Sequence, residues 1–539
     1  MWRQNYIPLA DSLGLSALVA ALPVFALLYL IGVRRKPAWI AALAGLGAAA
    51  VVALFLYRMP FGTMLSAIGY GAAFGLFPIG WIIFWAILLY RITLETGNFE
   101  ILKDSVGSLT HDRRLQALLI AFAFGAFVEG AAGFGTPVAV AAAMLTGLGF
   151  SPFYAAGICL LANTAPVAFG SIGIPVITLA GITGLPLLEL SAWVGRICAP
   201  VSLFVPAYLI LVMGGWKALR GVAPAALLCG ASFALTQFLV SNFIGPQLTD
   251  ILSSLAAIGT LVLLFRFWQP RDSFHLEGED GQTKSAAPPR HGTGKTLLAW
   301  TPYGFLVIFV LLWGMDAVKT LLNHVTFAIT WPGLHNVVSR IPPVVASEQA
   351  YPAVFTFNYL SAAGTACMFA ALATALTLRT GMGQFIRIFT HTARQLALSM
   401  VTIAAVLGLA FLMNYSGATA TLGLAFAATG ALFPFFSAML GWLGVFLTGS
   451  DTSANALFGN LQVVTAGRLN LDPVLMASAN SSGGVMGKMI SLQSIAVAAA
   501  ATGMASADEA KLFRFTLRHS IILATAIGLL TMVYAYAFG

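Results

Sequence analysis

The feature that most constrains this chain is an apolar stretch that is broken where a membrane-spanning helix would be continuous. Glu129, Asn163 and Thr164 lie beside the Gly and Pro residues that interrupt it. Because backbone polar groups cannot stay unpaired against lipid, such a stretch must be buried in protein or line a wet cavity. The pattern therefore favours a transport site. The stretch runs from Gly125 to Pro175 and reads GAFVEGAAGFGTPVAVAAAMLTGLGFSPFYAAGICLLANTAPVAFGSIGIP.

A second interrupted stretch near the C-terminus repeats the first. It runs from Phe446 to Gly503 and carries Asn480 and Gly487 at the same spacing as Asn163 and Gly170. Glycines, a proline and an asparagine recur in the same order. Chance self-alignment of Gly-rich and Ala-rich sequence is the alternative explanation. Two corresponding interrupted segments are the best sequence indication of a transporter's binding site.

The composition indicates a polytopic, all-α membrane protein. Of the 539 residues, 59% are hydrophobic and 8% are charged, whereas about one quarter of a soluble protein is charged. The net charge of +9 comes from short basic clusters between apolar runs, so it reports membrane topology and does not indicate a nucleic-acid partner. The four cysteines lie in apolar segments without CxxC spacing, and we interpret them as core residues.

Runs of about 20 apolar residues predict about twelve membrane-spanning helices. With both chain ends outside, every basic cluster falls on the cytoplasmic face, as the usual distribution of Lys and Arg requires. The basic clusters lie at 34–36, 103–114, 217–220, 266–295, 379–394 and 511–518. The predicted spans lie near 12–33, 38–57, 64–91, 153–185, 190–214, 221–243, 250–267, 298–319, 353–378, 396–413, 473–503 and 515–538.

Two further apolar segments do not fit as spans and are predicted to be re-entrant hairpins. Counting 115–149 as a full crossing would move later basic residues outside, so we expect a hairpin entered from the cytoplasm with its tip at 129–137. The corresponding segment, 436–469, is expected to enter from the opposite face with its tip at 448–455. Residues 416–432 are interpreted as an interfacial helix, with an additional crossing as the alternative.

Each half of the chain is thus predicted to hold five spans and one hairpin, and the odd number of crossings inverts the second copy. The first inverted repeat covers 1–215, connecting spans and a linker cover 216–297, and the second repeat covers 298–539. Residues 268–297 are charged and contain prolines, which is typical of a solvated cytoplasmic linker. Within it, Gly292–Thr296 lacks the first glycine of a phosphate loop, so ATP binding is not expected.

Four charged residues lie inside apolar segments, where burial costs several kcal/mol unless the charge is paired or hydrated. Glu129 and Asp451 lie at the two hairpin tips, and we interpret them as proton-coupling residues, with a role in holding the tip as the alternative. Lys488 supplies a positive charge for an anionic substrate or pairs with one of these carboxylates. Arg196 either clamps a carboxylate or extends toward the outer face.

Two runs of uncharged polar residues complete the predicted substrate site. Asn163 and Thr164 lie in the first broken span, and Asn480, Ser481 and Ser482 lie in the second. We expect each run at a break that exposes the N-terminus of a half-helix, whose free N–H groups attract an anion. A small carboxylate would then bind between the two breaks. The alternative is that these side chains only satisfy the opened backbone.

Four long motifs resemble signatures of the bacterial lactate permease family. They read GAFVEGAAGFGTPVAV, LLANTAPVAFGSIGIPV, FLTGSDTSANALFGNLQ and SANSSGGVMGKMIS, and the resemblance covers nearly the whole chain apart from the linker. It implies an inner-membrane symporter that takes up L-lactate, often also D-lactate and glycolate, with protons. It also implies inverted repeats with re-entrant hairpins. The chain departs from the family's KMISPQSI at Leu492, where we expect the helix to keep one more backbone hydrogen bond than with Pro.

The sequence therefore predicts proton-coupled import of a small 2-hydroxy monocarboxylate by alternating access in the lipid bilayer of a bacterial inner membrane. The only expected cofactor is the co-transported proton, and no metal is expected because the histidines lack ligand spacing. A sodium-coupled carboxylate carrier of the same fold is the main alternative. A passive channel is another. An enzyme is not expected, because the sequence contains no recognisable reactive constellation.

Overall fold

The computed structural model describes residues 1–133, 135–272, 274, 291–504 and 506–537. Helices dominate these residues. Short π-helical segments interrupt the α-helices at Val52–Leu56, Gly75–Gly80 and Ala117–Phe124, and a 3₁₀-helix lies at Val167–Phe169. The α-helices of the first half are α1 (Leu13–Ala20), α2 (Leu22–Gly32), α3 (Ala38–Val51), α4 (Phe61–Phe74), α5 (Trp81–Glu95), α6 (Asn98–Gly107), α7 (Arg113–Gln116), α8 (Gly125–Ala131), α9 (Thr136–Gly147), α10 (Pro152–Ala162), α11 (Gly170–Thr183), α12 (Leu187–Phe243) and α13 (Thr249–Phe267).

Within the described residues, the second half adds ten α-helices and most of the short strands. A 3₁₀-helix at Ala427–Leu432 connects the helices Ala418–Phe426 and Phe433–Thr448. The helices are α14 (Thr293–Gly314), α15 (Asp316–Asn323), α16 (Ala363–Thr377), α17 (Met382–Ser416), α18 (Ala418–Phe426), α19 (Phe433–Thr448), α20 (Asp451–Leu469), α21 (Pro473–Lys488), α22 (Leu492–Thr502) and α23 (Ser506–Ala537). The strands are β1 (Trp2–Arg3), β2 (Phe327–Thr330), β3 (Val338–Arg340), β4 (Gln349–Ala350) and β5 (Val354–Phe357).

The spanning helices confirm the predicted all-α polytopic architecture. Among the described residues, ten helices are long and apolar enough to cross a membrane, or up to twelve when each bent pair is one span. One bent pair joins Pro152–Ala162 to Val167–Thr183 at an angle of 65°. This is the broken span predicted at 153–185. Its backbone is further distorted at Ser171 and Gly173, which have positive φ angles of 48° and 74°.

Helix α12 contains two predicted spans, because the chain reverses direction inside it. Gly214 and Gly215 leave the helical conformation, and Gly215 has a φ of 67°, which favours glycine. The two halves then pack side by side, since Ser191 Oγ donates to the carbonyl of Ser241 at 2.8 Å. The spans predicted at 190–214 and 221–243 are therefore an antiparallel pair.

The predicted span 353–378 is wrong in its first part. Residues Val354–Phe357 form β5, which pairs with β2 in an antiparallel sheet. The helix that follows, α16, has only 15 residues, or about 22 Å. The run Val-Phe-Thr-Phe is apolar, but it suits a strand as well as a helix, and its pairing partner lies in the preceding loop.

The first predicted hairpin, at 115–149, is a helical hairpin whose two ends lie side by side. Arg113 at the start of α7 donates a hydrogen bond to the carbonyl of Leu148, and its guanidinium lies 5.1 Å from the Phe150 ring centre. The tip between α8 and α9 turns at Gly133 and Gly135, which both have positive φ. Helix α9 has 12 residues, or about 18 Å, which is too short for the roughly 30 Å hydrocarbon core. The segment is therefore a helical hairpin whose second arm is too short to cross, and its entry from the cytoplasm stays a prediction.

The second hairpin consists of α19 and α20, joined at Gly449 and Ser450. Gly449 has a φ of 72°, and Ser450 caps α20 by accepting from the Ser453 N–H. The two arms pack closely, because a Cβ at Gly444 would lie 2.9 Å from the Cβ of Ala454. The predicted segment 436–469 thus forms a helical hairpin, with its first arm starting at 433, and its re-entry from the opposite face stays a prediction.

The segment predicted as an interfacial helix, 416–432, is partly buried inside the protein. Its helical part, α18, is buried over Ala418–Gly423. Thr465 Oγ1 of α20 donates to the Gly423 carbonyl at 2.9 Å, and Tyr57 Oη donates to Thr421 Oγ1 at 2.8 Å. Small residues allow this close packing, which sequence composition alone does not distinguish from a surface location.

The charged linker is described only at its two ends, and residues 273 and 275–290 lie outside the described residues. At the first end, Arg114 is fully buried and donates to Asp272 Oδ2 at 2.8 Å and Asp112 Oδ2 at 2.7 Å. These hydrogen bonds hold the pKa of the Asp272 carboxyl below its usual value. At the other end, Gly292 caps α14. The division into 1–215, 216–297 and 298–539 stays a prediction.

Helices α19 and α21 cross with their backbones in contact. A Cβ added at Gly441, Gly483 or Gly487 would overlap the backbone carbonyl of the facing helix. Small residues at helix crossings are the usual means by which membrane helices approach closely. This crossing holds the second hairpin against the second broken span.

We predict that Gly483→Ala destabilises the protein by about 1–3 kcal/mol, because a methyl group cannot enter this crossing without shifting a helix. The measurement is the thermal unfolding midpoint of purified protein in detergent. Gly467→Ala in α20 is the matched control. A Cβ there meets nothing within 4 Å, so alanine's helix propensity should leave stability equal or slightly higher. Equal midpoints for Gly483→Ala and the parent protein would contradict the prediction.

Candidate functional site

Buried polar side chains from both hairpins, both broken spans and α13 form one connected group, which we name the polar cluster. Every member except Ser482 hydrogen-bonds to another member or interacts with one electrostatically, and Ser482 directly follows the member Ser481 in the chain. Every member is at most 9% exposed. The members are Glu129, Asn163, Asp250, Asp451, Asn455, Asn480, Ser481, Ser482 and Lys488.

Glu129 lies in α8, four residues before Gly133 turns the first hairpin. Its carboxyl group packs against the bent helix, because a Cβ at Gly170 would lie 2.6 Å from Glu129 Oε1. No described residue donates a hydrogen bond to Oε2, although the residue is only 3% exposed. A buried carboxyl oxygen without a donor is costly while the group is ionised.

Asn163 and Thr164 follow the last residue of α10, at the break in the first broken span. Thr164 Oγ1 donates to the Leu161 carbonyl at 2.7 Å, so it satisfies the opened backbone. The Asn163 side chain faces Glu129, but neither of its polar atoms reaches hydrogen-bond geometry with any described group. Asn163 therefore retains hydrogen-bonding capacity that a ligand can use.

Asp250 is a member of the polar cluster that sequence reasoning missed. It lies in the first turn of α13 and is 1% exposed, and neither carboxyl oxygen receives a hydrogen bond from the described part of the chain. It interacts electrostatically with Glu129. Helices α8 and α13 pack closely here, because a Cβ at Gly130, the residue after Glu129, would lie 2.8 Å from the Asp250 Cβ. The available signal was an acidic residue at the very start of the predicted span 250–267, where a surface location is more common.

Asp451 is well supplied with hydrogen bonds, in contrast to Glu129 and Asp250. Its Oδ2 accepts from Ser481 Oγ at 2.7 Å and from Asn455 Nδ2 at 3.4 Å. Such bonds favour the ionised form of a carboxyl group. Its other oxygen has no described donor.

The side chains of Asn455 and Asn480 extend this network across the helices. Asn455 Nδ2 donates to the Pro175 carbonyl at 3.1 Å, which ties the second hairpin to the first broken span. Asn480 Nδ2 donates to Asn455 Oδ1 at 2.9 Å, and Gln462 Nε2 donates to Asn480 Oδ1 at 3.0 Å. By contrast, Ser482 Oγ is buried without a described partner and faces the Cys198 thiol. A substrate that binds Asn480 must therefore replace existing bonds, whereas Ser482 is available.

The second break lies further along the chain than predicted. Asn480, Ser481 and Ser482 lie inside the continuous helix α21, which ends at Lys488. The half-helix that begins after the break is α22, with Leu492 as its first residue. Glycines at 483 and 484 suggested a break, but here they serve the crossing with α19 and the approach of α20. Asn163 likewise lies at the C-terminal end of α10, so neither polar run is at a helix N-terminus.

Leu492 therefore does not add a backbone bond inside a helix, contrary to the sequence expectation. The first residue of a helix has no intrahelical partner for its N–H, so Pro is accommodated there equally well. Leu492 is 37% exposed. Leucine in place of proline at this position therefore changes the exposed surface at the start of α22 and does not change the continuity of the helix.

Lys488 is located between the two hairpins. Its Nζ donates to the Gly449 carbonyl at 3.0 Å, and its charge acts on both Glu129 and Asp451. It forms no direct ion pair with any residue that the structure describes. Lys488 is thus held by a hairpin tip while its charge stays available to an anion.

Arg196 does not join the polar cluster. Its Nε donates to Asn242 Oδ1 at 2.8 Å, and its guanidinium lies 5.0 Å from the Trp193 ring centre. Its backbone carbonyl accepts from Tyr534 Oη at 3.0 Å. These contacts agree with the alternative in which Arg196 extends toward the outer face.

The arrangement combines fixed hydrogen-bond donors, one cation and three carboxyl groups in a site shielded from water. Such a site can bind an anion and exchange protons. Among the described residues, no group of three or more His, Cys, Asp or Glu side chains is placed to hold a metal ion.

Comparison with known proteins identifies the family. Residues 16–538 match the sequence profile described as L-lactate permease. The L-lactate permease of Bacillus subtilis strain 168 is 46% identical, and the alignment covers 100% of this chain and 99% of that protein. The glycolate permease GlcA of Escherichia coli K12 is 45% identical, with 100% and 98% covered.

Solved structures give a more distant likeness. The YdaH transporter of Alcanivorax borkumensis aligns with a TM-score of 0.46 at 15% identity, over 88% of each chain. The family assignment rests on the sequence relatives alone. Both the profile and the relatives cover nearly the full chain, and the chain therefore belongs to the L-lactate permease family of membrane transporters.

Proposed function

We propose that this protein imports lactate and related small 2-hydroxy monocarboxylates, glycolate among them, together with protons by alternating access. The names of its relatives, L-lactate permease and glycolate permease, support the substrate class. Its relatives come from bacteria, which supports a location in the bacterial inner membrane.

The charge balance of the polar cluster is the observation that supports proton coupling. It holds three carboxyl groups, Glu129, Asp250 and Asp451, against the single ammonium group of Lys488. With all of them ionised, the cluster would be negative before any anion arrived. Because charges interact strongly where water is excluded, an anionic substrate can enter only when carboxyl groups take up protons. Binding of the anion and binding of protons are therefore linked.

The hydrogen bonds divide the carboxyl groups into two kinds. Asp451 accepts two hydrogen bonds, and the charge of Lys488 acts on it; both favour its ionised form over that of the other two carboxyl groups. Glu129 and Asp250 have oxygens without donors and interact with each other, so they share the transported proton. This assignment replaces the simpler expectation that either hairpin carboxylate carries it.

The substrate would bind between Lys488 and the two hydrogen-bonding groups that lack partners, Asn163 and Ser482. Lys488 would attract the carboxylate. Thr164, Asn480 and Ser481 have partners in this conformation, so they would contribute only if those bonds rearrange during transport. Arg196 is left out of the proposed site because of its separate contacts. No observation on the described residues favours the sodium-coupled alternative.

We expect an inward-acid pH gradient to drive accumulation of L-lactate in proteoliposomes, whereas a voltage imposed at equal pH does not. One anion with one proton moves no net charge, while each uncompensated charge would gain about 2.3 kcal/mol per 100 mV. Radiolabelled uptake with and without sodium measures both driving forces. Strong accumulation under voltage alone would exclude one-to-one coupling, and a sodium requirement would exclude the proton scheme.

Asp250→Asn should abolish accumulation driven by the pH gradient while retaining lactate counterflow, which needs no net proton movement. Glu129→Gln should behave in the same way. Asp508→Asn, at a half-buried position in the first turn of α23, is the matched control and should behave as the parent protein. Parent-like accumulation by Asp250→Asn at every pH tested would refute its role.

Lys488→Met should raise the KM for lactate by about tenfold to a hundredfold, because a hydrogen bond to a charged group contributes about 1.5–3 kcal/mol. Initial uptake rates over a range of lactate concentrations provide the KM. Lys511→Met, at an exposed position in α23, is the control. An unchanged KM in Lys488→Met would show that the lysine has only a structural role.

A further inference from the structure

A cavity of about 980 Å³ lies beside the tip of the second hairpin. Four segments enclose it: the turn between α2 and α3, the end of α19, the start of α22 and the start of α23. Its volume is several times that of a lactate ion. The residues that carry the argument are Arg35, Lys36, Gly449, Gln493, Glu509 and Arg514.

The floor of the cavity touches the polar cluster. Gly449 lines the cavity, and its carbonyl accepts the hydrogen bond from Lys488 Nζ at 3.0 Å. Gln493 packs over it, because a Cβ at Gly449 would lie 2.7 Å from Gln493 Oε1. Only the hairpin tip therefore separates the cavity from the lysine.

The mouth of the cavity is positively charged. Arg35, Lys36 and Arg514 are exposed there, against one acidic residue, Glu509. None of the three cations forms an ion pair within the described ranges of the chain. Arg35 and Arg514 belong to two basic clusters that are distant in sequence, and the fold brings them to one face. Basic residues of this kind mark the cytoplasmic side.

The start of α22 adds a further attraction for anions. Leu492 and Gln493, its first two residues, both line the cavity. Ser491 Oγ accepts from the Ser494 N–H at 3.2 Å, but the first N–H groups of a helix have no intrahelical partner. A helix N-terminus also carries partial positive charge. This is the half-helix end expected from the sequence, displaced to the cavity.

We infer that this cavity is the cytoplasmic route of the transported monocarboxylate, with Arg35, Lys36 and Arg514 gathering the anion and the 448–449 tip closing the route. The inference rests on the proposed function. It adds a passage and a set of residues to the buried site. The route is open to the cytoplasm in this conformation, and movement of the tip would connect it to Lys488.

The test is chemical labelling of Gln493→Cys in the full-length protein. The four native cysteines are buried, so the introduced thiol is the reactive one. We expect an anionic, membrane-impermeant methanethiosulfonate to label it in inside-out vesicles and not in right-side-out vesicles. Saturating L-lactate should slow labelling by about tenfold, as for a site that is mostly occupied.

Charge variants test the mouth separately. Arg35→Gln and Arg514→Gln, each combined with Gln493→Cys, should slow labelling by the anionic reagent by about fivefold and leave labelling by a neutral reagent unchanged. Arg518→Gln, four residues further along α23 and outside the lining, is the matched control. Lys511→Cys is the control for protection, because lactate should not slow its labelling.

Two outcomes would overturn the inference. Labelling of Gln493→Cys that lactate does not slow would show that the substrate does not pass there. Reaction with a neutral lipophilic reagent only would show that a lipid chain occupies the cavity. Thr448→Cys, also in the lining, replaces Gln493→Cys if the latter does not fold. Lactate uptake by the parent protein is measured separately. If the parent protein does not take up lactate, the proposed function is rejected. If it takes up lactate but lactate does not slow the labelling of Gln493→Cys, only the proposed route is rejected.

Discussion

The structure depends on one constraint, which is that no polar backbone group can be left unpaired against lipid. Each hairpin tip and each helix break therefore packs against other helices, and buried polar side chains hydrogen-bond to its backbone. Thr164 pairs with the backbone of its own break, and Asn455 reaches across to the carbonyl of Pro175. The polar cluster thus begins as a structural necessity. Asn163 and Ser482 are the uncharged members of the polar cluster whose side chains this necessity leaves without described partners.

The carboxyl groups at the two hairpin tips have different surroundings. Asp451 is held by two side-chain donors, whereas Glu129 packs against a glycine backbone and faces a second acid, Asp250. Hydrogen bonds from neighbouring donors favour the ionised form of a carboxyl group, whereas burial without donors disfavours it. Lys488, between them, acts on both. A repeat that looks symmetric in sequence therefore gives an asymmetric site.

Much of the site and fold was predictable because the signals are local. Long apolar runs, glycine-rich tips and rare charges predicted the spans, both hairpins and the buried positions of Glu129, Asp451 and Lys488. The misplaced second break has a physical cause. Glycine either breaks a helix or permits a close crossing, and Gly483 does the latter because α19 lies against it. Sequence spacing cannot distinguish these two uses.

The sequence by itself determined that this chain spans a membrane many times, that two of its apolar segments are interrupted, and that Glu129, Asp451 and Lys488 lie inside. These follow from hydropathy and from the cost of burying charge. Only the tertiary structure decided that Asp250 joins Glu129, that Arg196 stays apart, and that two distant basic clusters share one cavity. Those facts depend on contacts between residues far apart in the chain, and no local pattern encodes which helices become neighbours.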